Sequence, residues 1–345
     1  MGWPALDVPP PNRADFTAKV NLKKVRNAPL NLVSNIANGT CPTSDAYCYY
    51  PCSKCTRPDD ILVCPNVNDW GLTFDDGPTN DTIAILDLLK SYNLKITFFV
   101  VGSRVVSNSA ILLRAFQEGH QIGVHTWSHH YLTTQSTEEV IAELEWGAEI
   151  IKNVTGVRPL YMRPPFGDYD DRIRDIATQL GYKVAIWDKD SSDWHFNDTG
   201  FDISWIASNF TAWMSDKSTT GHISLEHDLF NVTAKQAPIV VDILMKAKRN
   251  IKPVADCLGY PGIYYNESKP PTANTTTTTS KAAISTAASK PPPTVTSSVK
   301  SNSGSSTSST PTPAKSSSAI NYSTSWLFIY IGFFLIFSVN YYYYV

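Results

Sequence analysis

The chain has 345 residues, long enough for two domains, with 42% hydrophobic residues and a formal net charge of −2 from 29 Lys and Arg against 31 Asp and Glu. No Lys/Arg-rich run breaks that balance, so the electrostatic footprint of nucleic-acid binding is absent and a neutral partner fits better. Composition also excludes a second folded domain, because residues 266–325 are mostly Thr, Ser, Pro, Ala and Lys and hold too little apolar surface to offset chain entropy.

Residues 1–60 form an amino-terminal Cys-containing segment. Its opening, MGWPALDVPPPNRADF, lacks a basic region followed by an apolar stretch, so no signal peptide is recognisable. Cysteines stand at positions 41, 48, 52, 55, 64 and 257. The Cys52-x-x-Cys55 pair has no second pair or nearby His to complete a zinc site, and it lies outside any βαβ unit. Structural disulfides are therefore expected, with Cys257 tying the amino-terminal segment to the last strand. Nine N-x-S/T sequons, at Asn38, Asn80, Asn153, Asn197, Asn209, Asn231, Asn266, Asn274 and Asn321, agree with a secreted protein whose leader precedes this start.

Residues 61–265 read as one folded domain. Short apolar runs alternate with amphipathic ones: GLTF, KITFFVV, QIGVH, LYMR, YKVAIW, HISLEH and KPVADC read as strands. Between them, helical patterns cover Asp81–Tyr92, Ser109–Glu118, Thr137–Asn153, Asp170–Leu180, Ile203–Met214 and Ala234–Lys248. Thr137 and Asp170 suit amino-terminal caps, and Gly119, Gly156 and Gly181 suit the positions just past helix ends. The pattern predicts an α/β fold: a (β/α) barrel, distorted or incomplete, of about seven parallel strands.

Residues 266–325 are expected to be a disordered stalk carrying O-linked sugars. Trp326–Val339 is a continuous apolar run of 14 residues, short for a spanning helix, which needs about 20. Small residues at Ser316–Ala319, a polar spacer and almost nothing after the tail give residues 326–345 the layout of a GPI-attachment signal, with a membrane-spanning anchor extended by the tyrosines to Val345 as the alternative. The sequence thus predicts a domain held by a lipid anchor at the outer face of the plasma membrane and in the cell wall.

Barrel chemistry collects at the carboxyl ends of strands, and five polar segments fall there. TFDDGP (Thr73–Pro78) presents adjacent carboxylates, Asp75 and Asp76, which point apart on an extended segment and so suit two tasks; an Asp-rich turn capping the next helix is the bland alternative. HTWSH places His125 and His129 at a spacing that suits two nitrogens on one ion, with His120 and His130 near enough to confuse the assignment. RPPFG brings Arg163 to the rim on a backbone stiffened by prolines, where it could orient a carboxylate or merely form a surface ion pair. DSSDW adds Asp193 and Trp194, and LEH ends the sixth strand on His227, a good position for a proton donor.

In this order, over about Trp70 to Asp228, the five segments resemble the motifs of the NodB-type polysaccharide deacetylases, carbohydrate esterase family four, which includes chitin deacetylases. The resemblance implies a divalent metal ion, Zn²⁺ or else Co²⁺, held by Asp76, His125 and His129. It makes Asp75 the catalytic base and Arg163 the group that holds it. Asp193 becomes the partner of His227, the general acid, while Trp194 and Leu225 resemble walls of an acetyl pocket. The backbone N–H of Phe166 would face the oxyanion; many members have Tyr there, but the donor is main-chain. The implied reaction is N-deacetylation of chitin or N-acetylglucosamine oligomers by a monomeric enzyme. Deacetylation of acetylated xylan and non-catalytic carbohydrate binding by a wall-anchored protein are the competing expectations.

Overall fold

In the computed structural model, which describes residues 2–260 and 264–265, the apolar run at Trp70 forms strand β1 (Asp69–Asp75), buried along its whole length. The chain continues through β2 (Thr97–Val100), β3 (Gln121–Val124), β4 (Arg158–Pro159), β5 (Tyr161–Met162), β6 (Lys183–Val184), β7 (Lys189–Asp190), β8 (His222–His227), β9 (Asn250–Lys252) and β10 (Tyr264–Tyr265). Seven strands lie parallel in the order β6-β5-β3-β2-β1-β8-β7, and β9 pairs with the start of β1. β4 and β10 form a separate antiparallel pair.

The two ends of that path, β6 and β7, are consecutive in the chain. The few residues from Val184 to Lys189 span at most about 18 Å, so the sheet curls until its edges nearly meet. A bridge from Ile61 to Ala185 occupies part of the gap. The result is the incomplete barrel expected from the alternating pattern. The expected strand YKVAIW divides into β6 and the start of the link to β7, and KPVADC is a correction: the strand stops at Lys252, and Val254–Cys257 turn helically after Pro253, which has no N–H to extend the ladder.

Helices cover the outside of the sheet. Thr82–Ser91 buries Ile85, Leu86 and Leu89, one stripe at helical spacing, and Asp171–Gln179 starts at the expected cap, with the Asp170 side chain accepting from the Ile173 N–H. The longest, Thr137–Thr155, is capped one residue earlier than expected, by Ser136 with Glu139 completing a capping box, and ends at Gly156 with φ 81°. A short helix, Gly102–Ser107, was not expected.

Residues Val140 to Ala148 of the longest helix are all buried, more than a single stripe, because the amino-terminal segment lies across its outer side. Phe16 and Val20 join the main core, Trp3 stacks on Trp127, and the Trp146 indole donates to the Pro11 carbonyl at 2.9 Å. Full burial of a side chain such as Phe16 contributes about 1.5–3 kcal/mol. Glu145, fully buried in the same helix, is neutralised by Lys19 and Arg158. The cysteines pair as Cys41–Cys52, Cys48–Cys55 and Cys64–Cys257, so Cys257, in the helical turn after β9, joins Cys64 just ahead of β1 rather than a cysteine of residues 1–60.

Candidate active site

Register assembles the site. Asp75, the last residue of β1, lies opposite His227, the last of β8, because the two strands pair from Trp70↔His222 to Asp75↔His227. Val124 pairs with Met162, so His125 and Arg163 leave adjacent strands β3 and β5 side by side. Asp190 of β7 pairs with Leu225, which brings the segment containing Asp193 and Trp194 beside β8. Residues more than 150 positions apart thus meet at one end of the sheet, as expected for chemistry on loops leaving strand ends.

Asp76, His125 and His129 form the cluster of metal-type donors among the described residues, each offering an atom within 4.8 Å of the others. Asp76 Oδ1 stands 3.0 Å from His129 Nε2 and 3.4 Å from His125 Nε2. His125 Nδ1 lies 2.8 Å from the Arg163 carbonyl oxygen, which only accepts, so Nδ1 carries the proton and Nε2 keeps its lone pair for an ion. Asp76 Oδ1 is buried without a hydrogen-bond partner among the described residues, an acceptor that a cation would satisfy. Two imidazoles and one carboxylate with an orphaned oxygen fit a divalent metal. Burial opposes ionisation of Asp76, yet the neighbouring His129 and His125 hold it well below the usual carboxylate range, while burial pushes the His129 imidazole down against the pull of Asp76. His120 and His130 stay outside the cluster: His120 Nδ1 accepts from the Ile96 N–H, and His130 is exposed.

Arg163 is fully buried and each face of its fork is used. Nη1 donates to Asp75 Oδ1 at 2.9 Å and Thr73 Oγ1 at 2.6 Å, while Nε and Nη2 donate to the carbonyls of Ala185 and Ile186. The guanidinium lies over the Phe99 ring at 4.2 Å. The ion pair and the stacking are geometry that Lys could not reproduce. Across β1, Asp193 Oδ1 lies 2.6 Å from His227 Nδ1 and Oδ2 accepts the His227 N–H at 2.8 Å. Burial works against a charged His227, but Asp193 outweighs it and raises the ring to about 10.

Among the described residues, non-glycine backbones with positive φ recur in these loops: Asp76 at 81°, Thr126 at 63°, His129 at 59°, Phe166 at 59° and Ser192 at 61°. Such conformations persist only where surrounding contacts over-determine them. The Phe166 ring, 38% exposed, lies against Tyr131 and His129, with centroids at 4.2 and 4.6 Å. Trp194 is 43% exposed and Leu225 is buried.

Sequence reasoning missed Asp228. Its carboxylate accepts from the Gly77 N–H at 2.7 Å and the Thr82 hydroxyl at 2.5 Å, which pins the turn after Asp75 and Asp76. Burial pushes its carboxyl to about 7. A Cβ on Gly77 would sit 2.3 Å from Asp228 Oδ2, so this contact itself requires glycine. The only signal was an acid directly after His227, which any solvent-facing turn could also contain.

Known proteins resemble this chain in sequence and in fold. Residues 63–185 match the family described as polysaccharide deacetylase. The chain is 40% identical over 281 residues to chitin deacetylase 1 of Cryptococcus neoformans var. grubii, covering 74% of this chain and 58% of that protein. It is 34% identical to chitin deacetylase 2 of Saccharomyces cerevisiae, covering 76% of this chain and 78% of that one. The solved chitin deacetylase of Colletotrichum lindemuthianum superposes with a TM-score of 0.56 at 29% identity, over 60% of this chain and 95% of that one. The fold and site are those of an open-barrel protein with a cluster of two histidines and one carboxylate that could hold a metal ion. The chain belongs to the polysaccharide deacetylase family. It spans 50–64% of the length of the first relatives it matches.

Proposed function

We propose that this protein is a metal-dependent chitin deacetylase, which hydrolyses the N-acetyl group of N-acetylglucosamine residues to a free amine and acetate. One observation carries the reading: the Asp76, His125 and His129 cluster shares one end of the sheet with a carboxylate held by Arg163 and an imidazole paired with Asp193. The names of the matched relatives support chitin as the substrate.

An amide needs a nucleophile, a stabilised oxyanion and a protonated leaving nitrogen. Zinc suits the borderline N₂O donor set, and when bound supplies Lewis-acid polarisation of the acetyl carbonyl and makes water a stronger acid. Asp75 is the base. Arg163 occupies its Oδ1, and its Oδ2 is 3.7 Å from His125 Nε2, so that oxygen is directed at the cluster and takes the proton as water attacks. The Phe166 N–H donates to the developing oxyanion, a type of contact worth about 2.7–4 kcal/mol where one donor is removed. His227 Nδ1 is committed to Asp193, which leaves Nε2 to deliver the proton to nitrogen as the C–N bond breaks. Leu225 and Trp194 wall the acetyl pocket.

The sequons and three disulfides support passage through the secretory pathway. The stalk of residues 266–325 and the apolar tail of residues 326–345 lie outside the described residues; their composition supports a lipid-anchored protein at the outer cell surface and wall. No helix among the described residues is long and apolar enough to cross a membrane.

The test is acetate release by the purified protein from chitin oligomers and from acetylated xylan, with and without a chelator. Chelator-sensitive release from chitin oligomers is the expected result. Release from xylan alone overturns the substrate, and no release from either with zinc restored overturns the enzymatic reading in favour of carbohydrate binding.

A further inference from the structure

His125 and His129 face the same ion position but are fixed differently. The His125 ring is tied through Nδ1 to the Arg163 carbonyl. Among the described residues no comparable bond holds Nδ1 of His129, whose ring rests on Phe166 and Asp76. Its direction is therefore set by the backbone of the loop from Thr126, where Thr126 and His129 both have positive φ. Something must hold that loop.

The helix Thr137–Thr155 does so from behind, through two residues one turn apart. Glu143 is fully buried, and its Oε2 accepts from the backbone N–H groups of both Trp127 and Ser128 at 2.9 Å. Its Oε1 accepts from the Ser128 hydroxyl. At Gly147, a Cβ would stand 2.9 Å from the Thr126 carbonyl oxygen, so the helix backbone approaches the loop as closely as glycine permits. From the neighbouring short helix, the N–H groups of Gly102 and Ser103 donate to the carbonyls of Thr126 and Trp127 at 2.9 Å. Backbone donors and acceptors of the segment between the two histidines are thus both bonded. Burying a carboxylate is costly unless it is hydrogen-bonded, and all three bonds that offset the cost here go to this loop, so the carboxylate and the loop geometry hold each other in place.

We propose that Glu143, which belongs to none of the five motifs, is a positioning residue for the metal site: it clamps the backbone between His125 and His129 and so sets the direction from which His129 meets the ion. The proposal rests on the metal reading above. Outer groups that orient metal ligands typically change metal affinity about 10–100-fold when removed.

The experiment titrates Zn²⁺ into the metal-free full-length protein against a chromophoric chelator and compares dissociation constants, with Co²⁺ absorption reporting the ligand geometry. Each variant is measured at a temperature where circular dichroism shows it folded. Glu143→Met keeps the bulk and removes every acceptor, and it should weaken binding about 10–100-fold with altered Co²⁺ bands. Glu143→Gln places one amide oxygen where both N–H groups can reach it, and it should recover affinity to within about threefold of the original. Unchanged affinity in Glu143→Met overturns the proposal, as does a Gln variant as weak as Met, which would point to charge rather than geometry. Should Glu143→Met fail to fold, Ser128→Ala decides: it removes one of the three bonds and should weaken Zn²⁺ binding several-fold, and unchanged binding overturns the clamp. Absence of Zn²⁺ binding by the unaltered protein sinks the metal reading itself, whereas binding that is insensitive to Glu143 sinks this proposal alone.

Discussion

Replacing Asp193 with Asn tests the assignment of His227 as the general acid. The Asn side chain is nearly isosteric and still offers one oxygen, but the negative charge 2.6 Å from His227 Nδ1 is gone. Burial then works against only the weaker pull of Asp76 and Asp75, and the ring falls from about 10 towards its ordinary 6.5. At pH 8 a ring that titrates at 6.5 is protonated about 3% of the time, whereas the ring paired with Asp193 is almost fully charged, so acetate release should fall by up to about 30-fold. At pH 5.5 both rings are mostly protonated and the gap should shrink to a few-fold, with zinc in excess so that the metal site stays filled. Stability follows the same linkage. A folded-state pKa above the unfolded value stabilises fully below about 6.5, and that contribution disappears as pH rises through about 10. The original protein should therefore unfold at a higher temperature than Asp193→Asn at pH 6, with the difference closing towards pH 10. Imidazole NMR of the metal-free protein reads the ring directly. A His227 resonance that titrates alike in both proteins, or a loss of activity as large at pH 5.5 as at pH 8, would refute the assignment.

Three further outcomes follow from the geometry. Asp75→Asn keeps an acceptor for Arg163 but cannot take a proton, so turnover on chitin oligomers should drop about 10²–10⁴-fold while oligomer binding, measured by calorimetry, changes little. Removal of metal by a chelator should abolish acetate release, and zinc restored to 100 times its dissociation constant should stabilise the fold by about 2.7 kcal/mol, read as a rise in unfolding midpoint. Gly147→Ala drives a methyl to 2.9 Å from the Thr126 carbonyl and should cost about 1–3 kcal/mol in urea unfolding; a neutral effect would show that the helix stands further from the loop.

Much of this protein was legible because its information is local. The strand runs, helix stripes and glycine stops carry their own period and turn chemistry, so β1, β2, β3, β5 and β8 fell near where the pattern placed them. Their order along the chain also predicted which ends would carry the polar motifs. The details that failed were those where local signals compete: Ser136 and Thr137 are both good caps, and only the reach of Glu139 back to Ser136 chose between them. The run KPVADC looked extended until Pro253 interrupted its ladder.

By itself the sequence determined the element types, the five polar segments at strand ends and the chemistry those residue types permit. Tertiary structure alone decided what depends on contacts between distant segments. It set the pairing of the six cysteines, the docking of the amino-terminal segment on Trp146, and the tautomer of His125 through the Arg163 carbonyl. It also buried Asp228 and Glu143 against the two loops that carry the metal-type donors. Neither acid stands out in the sequence, because whether a carboxylate faces water or three backbone and hydroxyl donors is settled by what packs against it, and those partners lie 15 to 151 residues away.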